Sequence, residues 1–212
     1  MQVEDARQRI LSSAKAIFLE MGYKRTTIRQ IVRHSGLMIG SIYHFFQNKE
    51  DIFQQLFSDI FDRCDELIRR RYGEDADPPL RLALMCATML QAADLDENIC
   101  ELYGELLSLH GTAEQHTQHF ADWLRTNLHE SLASQSDSEI FARALAITGV
   151  LRGMLANFCY RKRLPLSDSI RVMSESAFAI LSIPPERAAT VTIHLPGLQN
   201  DIISIARELI AP

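Results

Sequence analysis

Much that would mark an enzyme, a membrane protein or a secreted protein is missing from this 212-residue chain. Its four cysteines, Cys64, Cys86, Cys100 and Cys159, stand far apart with no CxxC pair. They read as reduced thiols of a cytoplasmic protein, a redox-sensing pair being the alternative. The residues after Met1 (Gln2, Glu4, Asp5, Arg7, Arg9) are polar, so no targeting segment is expected. The longest apolar stretch, Ile140 to Cys159, is interrupted by Arg143 and Arg152. At about 100° per residue these fall on opposite sides of a helix, and a membrane span would have to accommodate both. Alternating β-type runs are absent apart from a weak Val191-Thr192-Ile193, and there is no internal repeat or low-complexity tract. There is no GxSxG, phosphate-binding glycine loop, HExxH or carboxylate pair with a plausible base. No catalytic residue, no cofactor and no enzymatic activity are therefore expected.

A net positive charge is also lacking: the chain carries −5 overall. The balance is uneven, however. Residues 1–50 hold eight Lys/Arg against four acids, a net of +4, and the remainder is at −9. A basic head on an acidic body suits a protein that grips phosphate at one end only.

What is present is concentrated in Thr26-Thr27-Ile28-Arg29-Gln30-Ile31-Val32-Arg33-His34-Ser35-Gly36 and Leu37-Met38-Ile39-Gly40-Ser41-Ile42-Tyr43-His44-Phe45-Phe46, followed by Lys49. Thr27 can cap a helix whose apolar side is Ile28, Ile31 and Val32. Ser35-Gly36 ends it, because glycine adopts the left-handed conformation of a helix C-cap. A second short helix from Met38 to His44 turns Ile42 inward and small or polar residues outward. Two short helices joined in this way form a helix-turn-helix over about 27–46, whose second helix enters the DNA major groove.

The rest reads as helix almost throughout. A first helix over 4–21 carries Ile10, Leu11, Ala14, Ile17 and Phe18 on one face and ends at Gly22. A long one over 49–71 closes on Arg69, Arg70 and Arg71, cations that suit a helix C-terminus. The proline- and glycine-bearing segment 72–79 is the clearest boundary. Further helices are expected over 80–93, 97–110, 112–134, 138–162 and 167–181. A short region follows Pro184-Pro185, and a last amphipathic helix carries Leu198, Ile202, Ile205 and Leu209. The 138–162 helix is apolar on nearly every side, with Ala142, Ala146, Gly149, Gly153 and Ala156 spaced three or four apart. A helix apolar all round must be buried all round. One face is assigned to the chain's own core and another to a second subunit, burial within one chain being the alternative.

The N-terminal pattern Arg9-Ile10-Leu11, Ala14, Phe18, Gly22-Tyr23, Thr26-Thr27-Ile28, Ile31, Gly36, Gly40, Tyr43, Phe46 and Lys49-Glu50 resembles the TetR family of transcriptional regulators. The resemblance covers about the first fifty residues. It implies an all-α fold: a three-helix helix-turn-helix DNA-binding domain over 1–50 and a helical ligand-binding and dimerisation domain over 51–212. It also implies roles for single residues. Thr27 would cap near phosphate, Ser41 would contact the DNA backbone and Tyr43 would reach a phosphate. His44 would face base edges or backbone, Gly40 would permit close approach to the groove, and Lys49 would meet phosphate at a helix N-terminus. Met38 and Ile39 depart from the family pattern, and are read either as partners for thymine methyl groups or as inward-packing residues. Val32 and Ser35 replace the usual alanines at the helix crossing.

A regulator of this type needs a sensor pocket, and the body offers candidates: Met85 and Met89 beside Cys86, Tyr103 with Leu107 and His110, Trp123 with His116 and Phe120, and Arg152 with Asn157 and Phe158. Ordinary helix packing is the competing explanation for each. Arg152 requires an acid, a carbonyl or an anionic ligand unless its stem carries the charge to solvent. His110, His116 and His119 are read as surface histidines, and no metal site is expected. The expected function is a homodimeric, ligand-responsive DNA-binding regulator, a repressor by family expectation. It would bind a near-palindromic duplex operator and dimerise through the helices at about 138–162 and 167–181. A constitutive DNA-binding module whose body recruits a protein is the alternative.

Overall fold

The computed structural model describes residues 2–106, 108–160 and 164–211, and for residues 2–4, 110 and 158–160 the backbone alone. All regular structure among these residues is helical. Three helices form the head: α1 (Gln2–Met21), α2 (Ile28–Ser35) and α3 (Ile39–Phe45). The long α4 (Lys49–Tyr72) joins it to a body of α5 (Pro78–Leu95), α6 (Glu97–Leu106), α7 (His110–Asn127), the single turn α8 (His129–Leu132), α9 (Asp137–Tyr160), α10 (Leu166–Ile180), α11 (Pro185–His194) and α12 (Gln199–Ile210).

The head closes on Ile10, Leu11, Ala14, Phe18, Ile31 and Ile42, all buried. Its link to the body is aromatic. Phe53 of α4 meets Phe18 edge-on at 5.3 Å, Tyr23 at 4.3 Å and Phe57 at 4.8 Å, and Phe57 in turn meets Tyr103 of α6 at 5.3 Å. Such pairs add to what area burial alone contributes.

In the body, α5 is the centre, with every residue from Arg81 to Ala93 buried. The one charge in that buried stretch, Arg81, forms a two-pronged pair with the buried Asp65 of α4. Arg81 Nη2 lies 2.7 Å from each carboxylate oxygen and Nε lies 3.1 Å from Oδ1. The guanidinium also lies over the Trp123 ring of α7, 5.4 Å from its centroid. Three helices are thereby tied at one buried point. The last helix, α12, packs along α5 and α4, with Tyr72 and Arg71 bonded to Asp201, and Lys15 of α1 donating to the Leu209 and Ala211 carbonyls at its end.

Several expectations need correction. The helix expected to run to His110 ends at Leu106, and the next begins at His110. The helix expected over 112–134 breaks at Leu128 (φ −113°, ψ 26°), whose side chain is buried. Val191-Thr192-Ile193 is helix in α11, with Val191 buried and Ile193 in solvent, as a 3.6-residue period requires. Cys64 and Cys86 are buried free thiols, and burial pushes Cys86 up to about 12. Cys100, however, takes part in a disulfide, so the reading of reduced thiols fails there. Its chain neighbours gave no sign of this, because its surroundings come from α9: its Sγ lies 3.7 Å from the Leu155 carbonyl.

Candidate nucleic-acid interface and body cavity

The recognition surface is built by local chemistry. Thr27, extended at φ −121°, caps α2 in a reciprocal box: its Oγ1 accepts from the Gln30 amide at 3.3 Å, and Gln30 Oε1 accepts from the Thr27 amide at 2.7 Å. Gly36 ends α2 in the left-handed region at φ 67°, its amide donating to the Val32 carbonyl at 3.1 Å. From α1, Arg9 Nη2 donates to the neighbouring Ser35 carbonyl at 2.8 Å, fixing the turn that aims α3. Ser35 itself is buried and bonds back to Val32 at 3.1 Å.

The result is a short helix held outward. Ile42 is its buried residue, while Met38, Ile39 and Tyr43 are 82%, 46% and 54% exposed. Met38 and Ile39 therefore do not pack inward. Gly40 and His44 are also exposed, and Ser41 is half-buried. A Cβ added at Gly40 would meet nothing within 4 Å, so internal packing does not require glycine there. Met38 makes no side-chain cap, and its carbonyl accepts from the Ser41 amide at 3.0 Å.

Lys49 is placed differently from its neighbours. Its Nζ donates to the Tyr23 carbonyl at 2.7 Å and the Thr26 carbonyl at 2.9 Å, over the Tyr23 ring at 4.0 Å. Burial holds its pKa below the ordinary lysine value, against the opposing pull of Glu105. At the start of α4 the capping is done by Asn48, whose Oδ1 accepts from the Asp51 amide at 2.9 Å. The lysine therefore clamps the α1–α2 turn onto α4, a task no local spacing announces. Head and body also meet through Lys24–Glu105 at 2.6 Å and Thr112–Glu50 at 3.1 Å. Lys24 and Glu105 line an open polar cleft of ≈ 770 Å³ with Arg25, Asp94 and Glu101.

The sensor candidates do not all converge. Met85 and Met89 line a narrow cavity among α4, α5, α7, α9 and α10, together with Phe61, Cys86, His116, Phe120 and Thr148. Its volume is ≈ 30 Å³, a space for about one water rather than an organic ligand. Trp123 stacks on Phe120 at 6.4 Å, behind that wall. Tyr103 lines a separate apolar crevice with Leu19, Leu56 and Leu209. Arg152 is exposed on the outer face of α9 and lines neither cavity, its long stem carrying the charge to water. The side chains of His110 and Phe158 lie outside the described residues.

His116 is the residue the sequence reading misplaced. It is buried rather than on the surface, and desolvation, then the neighbouring His119, lower its pKa to about 4. Its spacing with Phe120 and Trp123 was the available signal, and the packing of α7 against α4 decides the matter. His119 instead sits at the rim, 2.7 Å from Asp62. Among the described residues no group of three His, Cys, Asp or Glu is placed to hold a metal ion. Nor is any helix among them long and apolar enough to cross a membrane.

An outward recognition helix, fixed by a capping box and a left-handed turn on a helical body, defines a helix-turn-helix DNA-binding protein. Residues 10–56 match the family described as bacterial regulatory proteins, tetR family. The helix-turn-helix transcriptional regulator YxaF of Bacillus subtilis is 33% identical over 96 residues, 45% of this chain and 50% of that protein. The transcriptional repressor KstR2 of Mycobacterium tuberculosis is 35% identical over 81 residues, 38% of this chain and 40% of that one. The chain thus spans half or less of the length of these curated relatives. The solved structure of RolR with resorcinol shares the fold at a TM-score of 0.66 and 14% identity, covering 90% of this chain and 94% of that one. The likeness to the tetR family is thus carried by residues 10–56 and the overall helical fold, and the reported relatives are transcriptional regulators.

Proposed function

We propose that the chain is a homodimeric transcriptional regulator of the cytoplasm, most simply a repressor, released from a near-palindromic operator when a small molecule enters the body. Residues 1–50 are the DNA-binding head and 51–212 the effector-binding and dimerising body. The observation that carries this reading is α3, which holds apolar and polar side chains in solvent on a rigidly braced helix. Thr27, Met38, Ile39, Gly40, Ser41, Tyr43 and His44 form the contact surface. Tyr43 and Ser41 reach phosphate, and Met38 and Ile39 meet thymine methyl groups. Lys49 contributes by holding the turn.

The outer face of α9 supports pairing of two chains. Ala142, Leu145, Ala146, Gly149, Gly153 and Ala156 are all exposed, and no neighbour occupies the space a Cβ would fill at either glycine. With α10 packed alongside, this face is small-featured and able to approach a second copy closely. Two heads would then meet half-sites roughly one helical turn apart. The narrow cavity of ≈ 30 Å³ is read as the body's effector-free form, and Met85 and Met89 give way when it widens. By linkage, operator DNA weakens effector binding by the same factor that effector weakens DNA binding.

Selection of bound duplexes from a random-sequence pool tests the reading. A near-palindromic consensus is the expected result. Weak, salt-sensitive binding with no consensus would contradict it.

A further inference from the structure

Of the described buried side-chain polar atoms that lack a hydrogen-bond partner, His116 Nδ1 is the one on a residue lining the cavity. His116 meets the Phe61 ring edge-on at 6.0 Å among the cavity's other side chains. Buried polar atoms in native proteins are nearly always paired, and exceptions concentrate where a ligand or water completes them. The imidazole is neutral, since burial lowers its pKa to about 4. Among the described residues no charged side chain lines the cavity with it. The acids of α4 nearest in sequence are committed elsewhere, Asp62 to His119 and Asp65 to Arg81. Apart from His116, the described wall offers Thr148 and the Cys86 thiol as polar groups, and its methionines (Met85, Met89, Met173) can rearrange around a guest.

We infer that His116 is the polar anchor of the effector site, and that the effector is an uncharged, mainly apolar molecule bearing a hydroxyl group. This rests on reading the body as an effector-binding domain. A hydroxyl suits the site because it both donates and accepts, and so pairs with either neutral tautomer of the ring. A carboxylate or phosphate would meet no cation among the described residues that line the chamber. A fully apolar guest would leave Nδ1 unpaired.

Three probes of one shape separate these cases: 4-ethylphenol, ethylbenzene and 4-ethylbenzoate, titrated into the full-length protein at neutral pH. Fluorescence is a direct reporter, because Trp123 is the sole tryptophan and stacks on Phe120 of the cavity wall. The phenol is expected to bind about tenfold more tightly than either analogue. His116→Leu should bring phenol and ethylbenzene to equal affinity, while His116→Asn keeps part of the preference. Circular dichroism checks that both variants are folded. The inference is overturned by equal binding of phenol and ethylbenzene to the unaltered protein, by tightest binding of the benzoate, or by an unchanged preference in folded His116→Leu. It is also overturned if none of the three gives a saturable response in protein that still selects duplex DNA, which would leave a water as the partner of His116 and the regulator reading intact. Phenol discrimination in a protein that selects no DNA sequence would support the site and count only against the regulatory role.

Discussion

The head and the body are held together on different length scales. In the head most of the contacts that shape the surface are local, Thr27 with Gln30, Gly36 with Val32 and Ser35 with Val32, with Arg9–Ser35 the longer-range exception. In the body, and where the head joins it, they link residues farther apart in the chain: Asp65 with Arg81 beneath Trp123, Tyr72 with Asp201, and Lys15 of α1 with the end of α12. The head keeps apolar side chains out in water on α3, whereas the body buries nearly the whole of α5, polar residues included. The proposed binding surface is thus determined locally, and the body's stability rests on distant pairings. Substitutions in the body should cost folding, and those on α3 should cost binding alone.

The sharpest test of that division is Asp65→Ala. It leaves Arg81 buried without its partner, and losing one member of a buried pair costs about 3–5 kcal/mol. Denaturant unfolding should show this loss in full. A change below about 1 kcal/mol would mean that Arg81 finds water or another acid, and the contrast with the head would weaken.

Acid should act on the body next. His116 has a folded-state pKa of about 4, below its ordinary 6.5, so the unfolded chain binds the extra proton first. Stability attributable to this group is complete above about pH 6.5 and is lost as pH falls toward 4, by on the order of 3 kcal/mol over the window. Unfolding curves at several pH values should show this slope, and His116→Leu should flatten it. An equal slope in the variant would assign the acid sensitivity elsewhere.

On the head, Tyr43→Phe removes only a hydroxyl from a side chain that is 54% exposed. Operator affinity should fall by roughly tenfold with the melting temperature unchanged, as expected for loss of one bond to a charged phosphate. A stability loss with no binding loss would reverse the assignment. The smallest expected effect is Thr27→Ala, about 1 kcal/mol from the broken capping box, seen in thermal melts.

The same contrast explains what could be read from sequence. Thr27, Gly36, Ile42 and the exposure of Tyr43 follow from spacings within one or two turns, so the helix-turn-helix and the all-helical architecture are visible in the residues themselves. Residues at the body's joints are not. Lys49 looks like a phosphate ligand until Tyr23 and Thr26, more than twenty positions earlier, are seen to accept its protons. Arg152 sits in an apolar run, yet α9 turns it to solvent. His116 resembles its neighbour His119, yet one faces the cavity and the other the rim. Each outcome depends on which helix lies opposite, and periodicity within one helix carries no such information.

The central claim is that two copies of α3 read one operator from a fixed distance apart. The direct measurement is the affinity of the selected duplex before and after insertion of about half a helical turn between its half-sites. The insertion should remove specific binding while each half-site sequence remains intact. Equal affinity for both duplexes would contradict it, and would make the head an independent DNA-binding module.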